Sequence, residues 1–192
     1  YDAPNISDMS TDKLDKLDTR KEQETIKVQI NNSADRSTLD MLDSLARFRD
    51  MGIKVTTVLS YGDMDIKESI IQKGKELFGS KFEYLDRFLT PNDYLKHLAQ
   101  IDVLVLNQNR QQGLWNVIAA IYLEKKVFIK SDISSYNCLN NLGINVFNSD
   151  DVVEMDIGEF LQNDSKVMSK KSASKYISVA YAITAWREVF SG

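Results

Sequence analysis

The fold is decided by residues 102–130, DVLVLNQNRQQGLWNVIAAIYLEKKVFIK, which combine an apolar run, a polar loop, a helical pattern and a second apolar run. Val103–Leu106 is typical of a strand covered on both faces, and Val127–Ile129 has the same character. Apolar side chains recur between them at helical spacing, at Leu114, Val117, Ile118, Ile121 and Tyr122. The stretch therefore predicts a βαβ unit with two parallel, neighbouring strands.

The same alternation of strand and helix patterns continues on both sides of this unit. Further strands are predicted at Ile26–Ile30, Ile53–Leu59, Phe82–Leu85 and Ile144–Phe147. Helices are predicted at Thr38–Met51, Ile66–Phe78, Pro91–Gln100, Ser134–Leu142, Ile157–Leu161 and Ser165–Phe190. Six strands alternating with helices predict the α/β fold class, with a doubly wound, mostly parallel, six-stranded Rossmann-like sheet.

Composition excludes several classes of protein. With 192 residues and 43% hydrophobic side chains, the chain can bury a substantial core. Its net charge of −4 argues against nucleic acid as a partner, because no broad basic surface is implied. The single cysteine, Cys138, rules out an internal disulfide and is interpreted as a packed thiol in a reducing compartment. No apolar run approaches the roughly 18 residues of a membrane span, and no signal peptide is visible, so we predict a cytosolic protein.

The first residues do not have the pattern of a domain. The chain begins at Tyr1 rather than at a methionine, and the residues that follow are rich in Asp, Lys, Ser and Thr. We interpret residues 1–25 as a polar linker from a missing N-terminal domain, with one weak helical turn around Leu14 and Leu17. Residues 26–192 are then a Rossmann-like domain with a long C-terminal helix, and we expect the chain to be the C-terminal part of a longer protein.

The loop Asn107–Gly113 lies where open α/β sheets bind ligands, at the carboxyl end of a strand and the amino end of a helix. It contains five side-chain amides, the guanidinium of Arg110 and the flexible Gly113, with no acid. Free backbone N–H groups, the positive end of the helix dipole and the guanidinium together suit a phosphate or another anion. A polar helix cap in solvent is the alternative for this loop, and the sequence leaves it open.

Three further polar loops, residues 31–37, 60–65 and 86–90, would meet this loop at the same edge of the sheet and outline a site of nucleotide size. The first lacks a G-x-G-x-x-G motif, which argues against an NAD-type site, and no Walker lysine is present. The triplet Asp63-Met-Asp65 is interpreted as a helix cap rather than a metal site. His97 is interpreted as a packed or exposed side chain rather than a catalytic one.

Four motifs, taken in their order and spacing, resemble a known enzyme family: Asn32-Ser-Ala-Asp-Arg-Ser37, Tyr61, Tyr94-Leu95 and Arg110-Gln-Gln-Gly113. They are similar to the C-terminal half of the bacterial TDP-N-acetylfucosamine:lipid II N-acetylfucosaminyltransferases, also called 4-alpha-L-fucosyltransferases, glycosyltransferase family 56. The resemblance covers roughly residues 26–147, with a weaker trace in the final helix. Ala34 and Trp115 depart from the family pattern, in which glycine is expected at both positions.

The resemblance implies a GT-B architecture, in which two Rossmann-like domains face each other and the C-terminal one binds the nucleotide-sugar donor. This chain would be that donor domain. The resemblance also implies TDP-4-acetamido-4,6-dideoxygalactose (TDP-Fuc4NAc) as donor. The acceptor would be an undecaprenyl-diphosphate-linked saccharide, for a surface polysaccharide such as enterobacterial common antigen. The protein would lie at the inner face of the bacterial cytoplasmic membrane, with peripheral membrane contact through the missing half.

Beside this resemblance, the chemistry of the loops assigns roles as hypotheses. The donor diphosphate and sugar would be bound by Asn32, Ser33, Arg36, Arg110, Gln111, Gln112 and Gly113. The nucleotide would be bound by Tyr61, Arg87, Phe88 and Leu89. For Arg36 and Arg110, a salt bridge to a neighbouring acid is the alternative. No metal or other cofactor is expected.

No catalytic residue is predicted within this chain, because no side chain is placed by sequence to deprotonate a sugar hydroxyl. We therefore expect the fragment alone to be inactive as a glycosyltransferase, since the acceptor cleft and the base would come from the missing half. The alternative is a non-enzymatic module of the flavodoxin-like or receiver type that binds a ligand or a partner. A receiver would need clustered acids after its first strand, where this chain has Asn31 and Asn32, and a phosphorylatable Asp ending its third, near Asp86.

Overall fold

Six parallel strands form the sheet, in the order β3-β2-β1-β4-β5-β6. The computed structural model describes residues 11–19, 25–110 and 113–177. The strands are β1 Ile26–Ile30, β2 Ile53–Val58, β3 Phe82–Leu85, β4 Val103–Leu106, β5 Lys126–Ile129 and β6 Phe147–Asn148. Every neighbouring pair is parallel. The predicted fold class, a doubly wound Rossmann-like α/β sheet, is therefore confirmed.

Helices cover both faces of this sheet. They are α1 Thr11–Asp15, α2 Ser37–Leu45, α3 Met64–Phe78, α4 Pro91–Gln100, α5 Leu114–Tyr122, α6 Ser134–Asn141, α7 Ile157–Leu161 and α8 Lys166–Ile177. Short 3₁₀ segments follow α2, α3 and β6, at Ala46–Phe48, Gly79–Lys81 and Ser149–Val153. None of the helices in the described ranges has the length and apolar content needed to cross a membrane.

The strand order decides between the two folds that the sequence allowed. A flavodoxin-like or receiver sheet has the order 2-1-3-4-5, whereas here β1 lies between β2 and β4. The chain leaves the edge strand β3 and returns through α4 to place β4 on the other side of β1. This reversal creates a crevice at the carboxyl ends of β1 and β4, where such sheets bind ligands. The flavodoxin-like or receiver-type alternative is therefore wrong as a description of the fold.

The two faces of the sheet belong to separate hydrophobic cores. In β4, Val103 and Val105 are part of the core formed with α2, α3 and α7, whereas Leu104 and Leu106 are part of the core formed with α4 and α5. All four side chains are at most 4% exposed. Because successive side chains of a strand point to opposite faces, the uninterrupted apolar run reflects burial on both sides.

Most element bounds agree with the sequence prediction, and β1, β3, β4 and α7 have the predicted limits. The largest difference among the first helices is α2, which ends at Leu45 and continues as a 3₁₀ turn instead of reaching Met51. α3 begins two residues early, at Met64, because Asp63 caps it. For the final helix, the predicted continuation to Phe190 lies outside the described residues.

The last strand is shorter and later than predicted. Ile144 and Val146 are buried, but their N–H groups donate to α6, at 2.9 Å to the Leu139 carbonyl and 3.2 Å to Asn140 Oδ1. Only Phe147–Asn148 pairs with β5. The predicted strand Ile144–Phe147 is therefore wrong in its bounds, because the end of α6 binds the backbone donors that a strand would have offered to β5.

Residues 11–19 pack against the domain. Leu14 of α1 is 1% exposed and lies in the core that contains α5 and α8. The Tyr122 hydroxyl donates to Asp15 Oδ1 at 2.9 Å, and Gln100 Nε2 donates to the Asp18 carbonyl at 2.6 Å. Burial, together with the Asp15 carboxylate, raises the pKa of Tyr122 to about 12. The helical turn predicted around Leu14 is present and contributes to the hydrophobic core.

Because α3 packs closely on β3 at Gly74, we expect a larger side chain at this position to lower the stability of the protein. A Cβ atom on this buried glycine would lie 2.3 Å from Cε2 of the Phe82 ring, which is itself buried. Overpacking costs about 1–3 kcal/mol, against roughly 1 kcal/mol that alanine gains in a helix, so Gly74→Ala should lower the free energy of unfolding by up to about 2 kcal/mol. Thermal and urea unfolding measure this.

The matched control is Glu76→Ala, a change at an exposed position of the same helix that should alter stability little. A Gly74→Ala variant as stable as the wild type or more stable would show that α3 and β3 are packed less closely than described here.

Candidate functional site

The buried side chain of Asn31 joins the loop after β1 to the loop after β4. Its Oδ1 accepts the backbone N–H of Asn107 at 2.7 Å, and its Nδ2 donates to Thr38 Oγ1 at 2.9 Å. Asn31 has φ 50°, in the left-handed region that asparagine tolerates better than most residues, and its side chain has no exposed surface. These bonds fix the chain direction at the crevice between β1 and β4, and they place Asn32 in it.

The loops after β1 and β2 are joined by backbone contacts. The Ala34 N–H donates to the Tyr61 carbonyl at 2.8 Å, and the Asp63 N–H donates to the Ala34 carbonyl at 3.0 Å. Gly62 has φ 108°, and a Cβ atom there would lie 2.3 Å from the Ala34 carbonyl oxygen. Only glycine allows so close an approach, so the position of Tyr61 relative to β1 depends on Gly62.

A cavity of ≈ 140 Å³ lies between these loops and the starts of α4 and α5. It is lined by Asn32, Val58, Ser60, Tyr61, Leu85, Arg87, Phe88, Leu89, Tyr94 and Asn116. The structure therefore brings together Asn32 from the predicted diphosphate set and all four residues of the predicted nucleotide set. The rings of Tyr61 and Phe88 are stacked, with centroids 6.0 Å apart and planes 7° apart, and Phe88 is 66% exposed.

The most unusual group in this cavity is the Asn32 amide. The side chain is 3% exposed, and its Oδ1 accepts from Gln29 Nε2 and from the Tyr94 hydroxyl, each at 2.9 Å. Its Nδ2 has no hydrogen-bond partner within the described part of the chain. A buried donor without an acceptor costs about 1–3 kcal/mol, so Nδ2 is poised for an acceptor that a ligand would bring.

The unpartnered Nδ2 is directed at the start of α5. A Cβ atom on Gly113 would lie 2.6 Å from Asn32 Nδ2 and 3.0 Å from Asn116 Nδ2, so two amide donors meet beside this glycine. Gly113 is the N-cap residue of α5, with φ 61° and no side-chain cap bond. The first N–H groups of a helix have no intrahelical acceptor, and the helix dipole adds positive potential there. The cluster therefore suits an anionic oxygen.

Three other residues of the predicted diphosphate set, Ser33, Arg36 and Arg110, do not line the cavity. Ser33 is fully buried, and its Oγ accepts from Gln108 Nε2 at 2.6 Å, so that oxygen serves the packing of two loops. Arg36 is exposed at the N-cap of α2 and does not line the cavity. Arg110 is exposed and lines a separate hollow with Gln108, Leu114 and Ser135. Gln111 and Gln112 lie outside the described residues.

Two interpretations of single residues, Asp63 and Cys138, have clear outcomes. Asp63 accepts the Asp65 N–H at 2.9 Å as the N-cap of α3, so the capping role is confirmed. Within the ranges that the structure describes, no group of three or more His, Cys, Asp or Glu could hold a metal ion. Cys138 is exposed, so its interpretation as a packed thiol is wrong. It lies on α6, whose buried residues are Ser135 and Leu139.

Sequence reasoning assigned no role in the site to three polar residues around Asn32, although Tyr94 is part of one of the quoted motifs. Tyr94 and Asn116 line the cavity, and Gln29 of β1 bonds to Asn32 and has no exposed surface. Gln29 offered a signal in sequence, because it stands between the apolar residues Val28 and Ile30 of a central strand, and a buried amide needs partners. Asn116 stands three residues after Gly113, one helical turn into α5, where its side chain can return to the helix start.

No protein-family model matches the chain, and no curated protein sequence matches it. Solved structures do. An E. coli trehalose-6-phosphate structure bound with UDP-2-fluoro glucose superimposes with a TM-score of 0.68 at 13% identity, over 97% of this chain and 49% of that one. An alpha,alpha-trehalose-phosphate synthase (UDP-forming) from Burkholderia vietnamiensis gives 0.64 at 12% identity, over 94% and 45%.

The C-terminal domain of a glycosyl transferase group 1 family protein (LpcC) from Francisella tularensis gives a TM-score of 0.56 at 12% identity, over 98% of this chain and 95% of that one. This chain thus spans about half the length of the trehalose-phosphate synthase chains and nearly all of a C-terminal domain. At these identities the likeness is one of fold. The fold is that of the C-terminal domain of GT-B glycosyltransferases.

Because His97 is partly buried, we expect the free energy of unfolding to depend measurably on pH. Burial lowers the pKa of the imidazole below its ordinary value of 6.5; Lys27 also lowers it, and Glu83 opposes them. The unfolded chain, whose histidine titrates near 6.5, takes up a proton before the folded chain does, so the free energy of unfolding should fall as the pH drops below about 6.5. Thermal unfolding between about pH 7 and pH 5 measures this loss.

The informative variant is His97→Gln, which does not titrate but can still donate to Gln29 Oε1. Its melting temperature should fall less over the same pH interval than that of the wild type. Superimposable pH profiles would show that His97 has the same pKa in the folded and unfolded chains.

Proposed function

We propose that this chain is the donor-binding domain of a bacterial glycosyltransferase and that it binds the diphosphate of a nucleotide sugar beside Asn32 and Gly113. The single observation that carries this proposal is the buried, unpartnered Nδ2 of Asn32 at the start of α5. A phosphate oxygen would supply the missing acceptor, and it would meet the Asn116 amide and the first N–H groups of the helix at the same place.

The charges around the cavity favour an anion. Among the described residues, its lining contains Arg87 and no Asp or Glu. Arg110 lies in the loop that enters α5, so a diphosphate that extended from the helix start toward this loop would gain a second cation. Because amide donors and guanidinium groups can neutralise a diphosphate, the proposal includes no metal ion. Arg36, exposed on α2, is left out of the proposed diphosphate contacts.

The aromatic part of the cavity suits a nucleobase. Phe88 stands exposed beside Tyr61, with Leu85 and Leu89 in the same wall. A planar base could stack on the exposed ring of Phe88, and aromatic stacking of this kind contributes about 1–3 kcal/mol per base. The backbone of residues 87–89 could supply polar groups for the base edge, since Arg87, Phe88 and Leu89 line the cavity.

The finer assignment rests on the resemblance of the sequence motifs. It proposes TDP-Fuc4NAc as donor and an undecaprenyl-diphosphate-linked saccharide as acceptor, in surface polysaccharide synthesis such as that of enterobacterial common antigen. The enzyme would act at the inner face of the cytoplasmic membrane, and a second Rossmann-like domain would supply the acceptor cleft and the base. Since structural relatives include a UDP-2-fluoro glucose complex and a UDP-forming synthase, UDP is the nucleotide to compare with TDP.

The proposal predicts that Asn32→Asp weakens nucleotide binding. The change keeps the shape of the side chain but replaces the donor Nδ2 with a carboxylate oxygen that repels phosphate. A hydrogen bond to a charged group contributes about 1.5–3 kcal/mol, so the affinity for UDP or TDP should fall by at least roughly ten- to a hundred-fold. Isothermal titration calorimetry of both nucleotides into wild type and variant measures the loss.

The matched control is Asn92→Asp, the same chemical change at an exposed position in the first turn of α4. It changes the net charge equally and should leave the affinity within about twofold, as a surface charge screened by solvent does. Equal affinities of Asn32→Asp and wild type would show that the diphosphate binds elsewhere. A wild-type chain that binds neither nucleotide at millimolar concentration would contradict the proposed function as a whole.

A further inference from the structure

The Asn32 amide can serve as a donor to phosphate only in one of its two orientations. Rotation by half a turn would exchange Nδ2 and Oδ1, and the cavity would then present an acceptor to an anion. In the observed orientation Oδ1 accepts from Gln29 Nε2 at 2.9 Å and from the Tyr94 hydroxyl at 2.9 Å. The reversed orientation would place two amide donors, Asn32 Nδ2 and Gln29 Nε2, against each other. Gln29 therefore determines which end of Asn32 faces the cavity.

Gln29 is itself held in one orientation. Its Nε2 lies 3.1 Å from the carbonyl oxygen of Asn31, an atom that can only accept, so the nitrogen of the amide must be on that side. Its Oε1 lies 2.9 Å from Nε2 of His97, which must then carry a hydrogen and donate. Because Gln29 is fully buried in β1, no solvent competes for these bonds. His97 and the Asn31 carbonyl together prevent the Gln29 amide from turning.

Tyr94 completes the arrangement from the other side. Its hydroxyl lies 3.0 Å from Gln29 Nε2 and donates its one hydrogen to Asn32 Oδ1 at 2.9 Å. Gln29 Nε2 has two hydrogens and three acceptors around it, Asn31 O, Asn32 Oδ1 and the Tyr94 hydroxyl, so one hydrogen is shared between two of them. Burial raises the pKa of Tyr94 well above its ordinary value, so the hydroxyl remains a donor at neutral pH. Tyr94 and His97 are three residues apart in α4, and this spacing places both on the helix face that covers β1. The charged groups acting on His97 are Lys27 and Glu83, which lie on β1 and β3.

We propose that His97, Gln29 and Tyr94 form a relay of positioning residues that holds the Asn32 amide with Nδ2 toward the start of α5. The relay makes the site selective for a ligand atom that only accepts hydrogen bonds, such as a phosphate oxygen, over a group that donates. The hydrogen-bonding groups of these residues act on the ligand indirectly. His97 orients Gln29, and Gln29 and Tyr94 orient Asn32. The inference rests on the proposed function, because it explains how the phosphate-binding donor is oriented.

Affinity measurements on the full 192-residue chain test the relay, with UDP and TDP as probes. Tyr94→Phe keeps the ring and removes the hydroxyl, so Asn32 Oδ1 loses one of its two donors. We expect the affinity to fall about three- to tenfold, the effect of one neutral hydrogen bond. The matched control is Tyr136→Phe, at a partly buried tyrosine of α6 outside the cavity, which should bind like wild type.

The end of the relay is tested with a conservative pair. His97→Leu removes the donor to Gln29 Oε1, lets the Gln29 amide turn and should also weaken binding about three- to tenfold. His97→Gln restores a donor at the same place and should recover most of the affinity. Thermal unfolding of each variant separates this effect from a loss of stability, because a merely structural role would lower the melting temperature without selectively lowering the affinity of the folded chain.

A double-mutant cycle shows whether Tyr94 acts through Asn32. In an Asn32→Ala background, Tyr94→Phe should cause no further loss, since the amide that it positions is gone. If Tyr94→Phe and His97→Leu bind like wild type while Asn32→Ala binds weakly, the relay is wrong and the proposed function stands. An equal loss from Tyr94→Phe in both backgrounds would also overturn the relay, because Tyr94 would then act independently of Asn32. No binding by wild type would overturn both proposals.

Discussion

The pairing of β1 with β4, secured by the buried Asn31 side chain, is the constraint on which the rest of the site depends. It is the point at which the strand order reverses, and both the Asn31 N–H and its Oδ1 bond to the β4 segment, to the Val105 carbonyl and to the Asn107 N–H. The left-handed conformation of Asn31 turns the chain at once, so that Asn32 faces the crevice instead of continuing the strand. The position of Asn32 beside the start of α5 follows from this turn.

An unsatisfied polar group in the site costs free energy, and a ligand that supplied its hydrogen-bond partner would recover that free energy. Inside a protein a polar group without a partner loses its bonds to water and gains nothing in return, and Asn32 Nδ2 is such a group among the described residues. Packing around it is close, since Gly113 and Gly62 are positions where even a methyl group would collide with Asn32 or Ala34. Binding sites commonly retain strain or unsatisfied groups of this type, because the free energy is recovered when the ligand arrives.

The sequence allowed the centre of the sheet to be predicted because β4 and β5 are buried on both faces and therefore appear as short apolar runs. Val103–Leu106 has its predicted bounds for this reason. The edge strand β6 was misplaced because Ile144 and Val146 are apolar and buried in the manner of a strand while their N–H groups bond to α6. Burial alone does not distinguish the two arrangements.

The site could be predicted in part, because the carboxyl ends of parallel strands converge and so Asn32, Tyr61 and residues 87–89 had to be neighbours. The inward direction of Gln29, and the way in which α4 brings Tyr94 and His97 onto it, depend on helix rotation and on contacts between residues 62 to 68 positions apart. Spacing along the chain does not reveal such contacts. Arg36 shows an error in the other direction. The sequence suggested it as a site residue because it is charged and lies in a polar loop, but in the structure it is exposed and does not line the cavity.

A crystal structure of the chain in complex with UDP or TDP tests the central claim most directly, namely that the Asn32 amide donates to a phosphate. The account predicts a phosphate oxygen within about 2.7–3.2 Å of Asn32 Nδ2, next to Gly113 and the first N–H groups of α5, with Asn32 Oδ1 still bonded to Gln29 and Tyr94. A diphosphate bound at another place, or an Asn32 amide turned so that Oδ1 faces the ligand, would contradict it.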